Sequence, residues 1–251
     1  MDLDEFYPSP DKLIESEVEV LGFLRNEPYM KRVHVEFSLD AHQGYQRYRS
    51  NWRSGFAFAS FLDVSHLSMP RNSRRGRKRG ALLPNVRLVV SALVELEMGQ
   101  YSNVSYCLAV LRIRDRQLTI LRKFHFDVTP AAGGTVRRRQ EHPRCHLQYG
   151  GSMTPFMSKM GCKESHLTQM HASLSEPRIL FWPMSLGLVI DMALHEFPDS
   201  ESSEFRRTPE WRGMVRRQER LVLRDFYAKC VAVVDNSGGK YKTLGEEFYV
   251  V

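Results

Sequence analysis

Three long apolar-rich runs, Val86 to Glu97, Asn103 to Arg114 and Gln117 to Val128, follow one another with almost nothing between them. The connections are Met98-Gly99-Gln100-Tyr101-Ser102 and Asp115-Arg116. Neighbouring strands joined so tightly must run antiparallel, because a parallel neighbour needs a crossover of roughly a dozen residues or more. An antiparallel meander is therefore the expected core. Gly55 to Val64, rich in Phe and Leu, reads as a further buried strand. Arg32 to Leu39 alternates like a strand, with Val33, Val35 and Phe37 on one face.

Helical signals flank these runs. Ser9-Pro10 pairs a capping residue with proline at the first turn, and Ile14, Val18, Leu21 and Leu24 give the next residues one apolar stripe. This N-terminal acidic helix is expected over about 9–26. Met184 to Phe197 is a nearly all-apolar helix stopped by Pro198, in which Asp191 and His195, four apart, can pair. Ser200 to Arg207 reads as a polar linker. Thr208-Pro209-Glu210 then opens the longest helix, over about 208–235, closed by Asn236-Ser237-Gly238-Gly239. The tail ends in Phe248-Tyr249-Val250-Val251, a candidate edge strand. The chain is expected to form a single α+β domain over residues 1–251, an antiparallel sheet with a meander core covered by about three helices.

A composition of 42% hydrophobic residues excludes disorder, and no apolar run reaches the roughly 18 residues of a membrane span. Cys107, Cys145, Cys162 and Cys230 are dispersed, and the acidic N-terminus does not resemble a secretory signal. A reduced, cytoplasmic setting without membrane contact is expected.

The stretch Leu118 to Gly151 gathers the most reactive groups. Period two places Leu118, Ile120, Phe124 and Phe126 on one face and Thr119, Leu121, Lys123, His125 and Asp127 on the other. A loop with Gly133-Gly134 and Arg137, Arg138 and Arg139 follows, then His142-Pro143, then a short strand over Cys145 to Tyr149 carrying His146 and Gln148 on one face. If that strand pairs beside the first, His125, Asp127, His146 and Gln148 converge, with His142 at the rim. Imidazole beside carboxylate can act as general base or acid, which makes His125, Asp127, His142 and His146 the catalytic candidates. The same groups can hold a divalent metal or serve as hydrogen-bonded structural residues. No HExxH, paired CxxC, Walker, GxGxxG or GxSxG motif is present, so no metal or cofactor is assigned.

This arrangement resembles one in small uncharacterised bacterial proteins of toxin or phage-defence operons. The matching residues are Phe126-Asp127, with Phe124 and His125 before them, and His142-Pro143-Arg144-Cys145-His146-Leu147-Gln148, where Gln148 replaces a further histidine. The resemblance covers about thirty residues and implies a bacterial defence setting.

Charge supplies the other functional signal. Residues 1–20 hold seven carboxylates against Lys12, so the rest of this +7 chain carries about +13. A polyanionic partner, RNA or DNA, is the expectation. The strongest local signal is the acid-free loop Ser68 to Gly80, with Arg71, Arg74, Arg75, Arg77, Lys78 and Arg79. Tyr45, Tyr48 and Trp52 among arginines suit base stacking, or alternatively pack at helical spacing. Arg212, Arg216, Arg220 and Arg224 recur every four residues as one slowly drifting helical stripe along which a phosphate backbone can lie. Two rival expectations stand beside a nucleic-acid-binding subunit of a defence or toxin-type complex. One is a nuclease-like enzyme using the His/Asp cluster; the other is an adaptor that contacts only protein subunits.

Overall fold

The structure, a computed structural model, describes residues 6–27, 56–63, 86–97, 99–114, 117–128, 142–150, 167–169, 178–197, 200–235 and 249–250. The meander is present: β1 (Phe56–Asp63), β2 (Val86–Glu97), β3 (Gln100–Arg114) and β4 (Gln117–Val128) pair antiparallel in chain order. The β2–β3 turn is tighter than expected, because Gln100 already pairs with Glu97 and Gly99 takes the left-handed conformation (φ 80°) that such a turn requires. After β5 (His142–Pro143), β6 (Cys145–Tyr149) pairs antiparallel with the far side of β4, and β8 (Arg178–Leu180) pairs with β6. One short strand departs from the antiparallel pattern: β7 (Leu167–Gln169) runs parallel to the start of β4. The tail strand β9 (Tyr249–Val250) pairs with β5 in a separate two-stranded sheet.

Five helices occur among the described residues, against about three expected. They are α1 (Pro10–Asn26), α2 (Leu186–Glu196), α3 (Ser200–Phe205), α4 (Pro209–Val222) and α5 (Arg224–Asp235). The expected linker over Ser200 to Arg207 is thus mostly helix: Phe205 is buried in the core beside Trp211, which a solvated linker cannot offer. The expected single helix over about 208–235 is two, meeting at Leu223. Its start follows the sequence signal, since the Thr208 hydroxyl accepts from the Trp211 amide at the N-cap.

One face of the sheet meets the helices. Leu88, Val90, Ala92, Val94, Val104, Tyr106, Leu108, Val110, Phe126 and Val128 alternate inward against Leu13, Ile14 and Leu24 of α1, Val189, Ile190 and Ala193 of α2, and Trp211, Met214 and Val222 of α4. Two bulges change which residues face the core. On β3, Ser102 is unpaired between Asn103 and Tyr101, so Tyr101 turns into the core and its hydroxyl donates to the Pro8 carbonyl at 2.7 Å. On β4, Leu121 is unpaired between Arg122 and Ile120. Strict alternation placed Ile120 with Phe126 and Leu121 opposite; instead Leu121 packs against the core cluster and Ile120 is buried on the other face.

A carboxyl group lies inside the helix–sheet interface. Glu17, on the inner face of α1, is fully buried; its Oε1 accepts from the Tyr106 hydroxyl at 2.6 Å, and both its oxygens accept from the Leu186 amide at 3.1 Å. It therefore ties α1 to β3 and to the positive start of α2. Burial pushes its pKa up to about 7 against the lowering effect of the Tyr106 and Leu186 hydrogen bonds. Among the described residues no helix is long and apolar enough to cross a membrane.

Candidate functional site

The sheet face turned away from α1 and α2 is also buried, and its central residues are polar. Across four strands, one row reads Leu93, Ser105, Asp127, His146 and the next Ser91, Cys107, His125, Gln148. Ser91, Ser105, Lys123, His125 and His146 are all buried. Three of the four catalytic candidates thus share one patch: Asp127 faces His146 across the β4–β6 ladder, and His125 faces Gln148. His142 differs, for its backbone belongs to β5 in the separate sheet with β9.

Asp127 is the hub. Its Oδ1 accepts from the Ser105 hydroxyl at 2.5 Å, and its Oδ2 lies 3.5 Å from Nε2 of His146. Burial raises its pKa, but the His146 hydrogen bond, the charge of His125, the Ser105 hydrogen bond and the charge of His146 together outweigh burial. The carboxyl sits below its ordinary range. Asp127 is consequently an anion at neutral pH that faces the His146 ring across the β4–β6 ladder. Cys107 sits in the same grid as a thiol: burial pushes it up to about 12 against the opposing pull of Lys123, with Asp127 adding to the rise. That excludes it as a thiolate nucleophile near neutrality. Ser105, Ser91 and Cys107 were missed in the sequence. Their signal was the period-two polar interruption of otherwise aliphatic strands. Among the described residues no three His, Cys, Asp or Glu side chains lie close enough to hold a metal ion.

The second candidate surface is α4. Trp211, Met214, Gln218 and Val222 are buried, which turns the flank carrying Arg212, Arg216 and Arg220 to solvent. Among the described residues none of these three arginines has a carboxylate partner. Arg224, expected as the fourth of the stripe, falls beyond the break at the start of α5 and pairs with Asp225 at 2.9 Å. Arg212 and Arg216, with Arg207, border one cleft of about 570 Å³; Arg220 borders another of about 590 Å³. Beneath the first cleft, Asp191 and His195 are not paired with each other. Arg206 stands between them, donating twice to Asp191 at 2.9 Å with Nη1 2.9 Å from Nδ1 of His195, while the Trp211 indole also donates to Asp191 at 2.8 Å.

The candidates Arg71, Arg74, Arg75, Arg77, Lys78, Arg79, Arg137, Arg138 and Arg139 lie outside the described residues, as do Tyr45, Tyr48 and Trp52. No family model, curated protein or solved structure matches the chain.

Proposed function

We propose that this protein binds nucleic acid, gripping phosphates with the outer flank of α4. One observation carries the reading: Arg212, Arg216 and Arg220 stand exposed and, among the described residues, without carboxylate partners, about one turn apart on a single helix. Steps of four residues advance about 6 Å along a helix, so the three guanidinium groups can follow one phosphate backbone rather than a single anion. Arginine suits the task, because its planar fork donates two hydrogen bonds to one phosphate. The setting proposed with it, a subunit of a bacterial defence or toxin-type complex, rests on the Phe-Asp and His-Pro-x-x-His resemblance alone. The test is titration of RNA and DNA oligonucleotides at low and moderate salt. Affinity that drops steeply with salt and falls further in Arg212→Gln/Arg216→Gln/Arg220→Gln supports the reading; no binding at low salt refutes it.

A second reading, nuclease-like catalysis at the sheet site, is favoured by one observation, the Asp127 carboxylate held between Ser105 and His146. A carboxylate that orients an imidazole is the usual support of a general base. It predicts oligonucleotide cleavage that His146→Ala removes while the far-ultraviolet circular dichroism is retained.

A further inference from the structure

The cleft of about 590 Å³ lies between the first turn of α1 and the junction of α4 with α5. Its walls include Lys12, Gln100, Arg217, Arg220, Arg224 and Asp225. The start of α1 and the α4–α5 junction, about two hundred residues away in the chain, therefore bring four cations to one concave space that, among the described residues, is lined by a single carboxylate. Two of the cations are already engaged: Arg217 with Glu19 at 2.8 Å and Arg224 with Asp225 at 2.9 Å. Lys12 and Arg220 have no carboxylate partner among the described residues. The start of α1 adds a backbone donor, since the Ser9 side chain makes no cap hydrogen bond and the amide of Lys12, which lines the cleft, precedes the first intrahelical bond, Leu13 to Ser9.

The convergence differs in kind from the row on α4. A row of arginines suits the repeated single charges of phosphodiesters. A concave cluster suits one group with more charge and three terminal oxygens to share among several donors, which is a phosphomonoester. The volume lies in the range of small-molecule sites, room for a nucleoside beside its phosphate and more than one ion needs.

We propose that this cleft is a phosphomonoester site, taking the terminal phosphate of a nucleic-acid strand or of a free nucleotide. The strand-end form rests on the nucleic-acid reading above; the free-nucleotide form does not. Lys12 and Arg220 supply the uncompensated charge, and Gln100 a neutral donor.

The experiment compares one single-stranded oligothymidylate carrying a 5′-phosphate, a 3′-phosphate or neither, by fluorescence anisotropy. Isothermal titration with AMP and with inorganic phosphate forms the second arm. Both arms use the full chain, its Lys12→Gln variant and its Arg220→Gln variant. Expected is about tenfold tighter binding of one phosphorylated strand, the effect of one or two charge-assisted hydrogen bonds. Lys12→Gln should erase that difference and leave the unphosphorylated strand within about twofold, because Lys12 lies off the α4 row. If no strand binds but AMP does, and both variants weaken AMP, the cleft stands as a nucleotide site and the nucleic-acid reading falls. If all three strands bind equally and neither AMP nor phosphate binds, the nucleic-acid reading survives and the cleft proposal is overturned. Discrimination that persists in both variants also overturns it.

Discussion

The Tyr106 hydroxyl donates to Glu17 Oε1 at 2.6 Å, with both side chains fully buried, and so locks the middle of β3 to the middle of α1. A carboxyl in that position holds its proton more tightly in the folded chain than in the unfolded one, because burial disfavours the anion.

The pH dependence of stability follows from that shift. Glu17 titrates near 4.5 when unfolded and at about 7 when folded. Its protonated form therefore contributes stability that is complete below about 4.5, declines across the interval to about 7 and is absent above it. The loss between pH 5 and pH 8 should be on the order of 3 kcal/mol from this group. Urea unfolding at the two values measures it. Glu17→Gln should flatten this part of the profile and match or exceed the parent at pH 8; an unchanged slope would show that Glu17 is not the group responsible. Asp127 acts with the opposite sign and in another window, since its folded pKa lies below 3.8: its contribution is present above 3.8 and is lost only as pH falls through that lower folded value.

Asp127 and Ser105 should be energetically coupled. Asp127→Asn replaces two charge-assisted contacts with neutral ones and is expected to cost about 1–3 kcal/mol; Ser105→Ala should cost about 1 kcal/mol. The double variant should be less destabilised than the sum by at least about 0.5 kcal/mol. Additive free energies from chemical denaturation would show that the Ser105–Asp127 pair does not act as a unit.

Gly187 is a contact point between helices rather than a flexible residue. A Cβ there would stand 2.9 Å from Cγ of Gln218 and 3.3 Å from Cγ2 of Val20, and Gln218 is itself buried and bonded to Ser16. Gly187→Ala should therefore destabilise by about 1–3 kcal/mol through overpacking, although alanine is the better helix former. A variant as stable as the parent would mean that α2 and α4 can separate freely.

The salt dependence of nucleic-acid binding gives a count of contacts. Each phosphate contact removed lowers the slope of log affinity against log salt by about one, so Arg212→Gln/Arg216→Gln/Arg220→Gln should flatten it by about three. The substitutions should leave stability within about 0.5 kcal/mol, because the three side chains are exposed and have no carboxylate partner among the described residues. A slope unchanged within error would place the contacts elsewhere.

The Asp127 site was half legible in the sequence. Period two put His125, Asp127, His146 and Gln148 on compatible faces, and the register pairs them as that reading required. The same period misplaced Ile120, because the bulge at Leu121 leaves no local mark in composition. It also gave no sign that the backbone of His142 pairs with β9, about a hundred residues downstream. On α4 the four-residue spacing of arginines was visible. That Arg224 lies past a helix break beside Asp225, while Arg212, Arg216 and Arg220 have no carboxylate partner among the described residues, was not visible.

The amino-acid order alone determined the meander, the β2–β3 hairpin and the starts of α1 and α4. Those features depend on neighbours a few residues away: alternation, short connections, proline at both helix starts and, for α4 alone, a capping side chain, since Ser9 makes no cap hydrogen bond. The fold decided the burial of Glu17 against Tyr106 and Leu186, the strand bulges, the helix break at Leu223, and which charges met a partner. Each of those depends on groups distant in the chain, whose desolvation and pairing are set only when the layers close on one another.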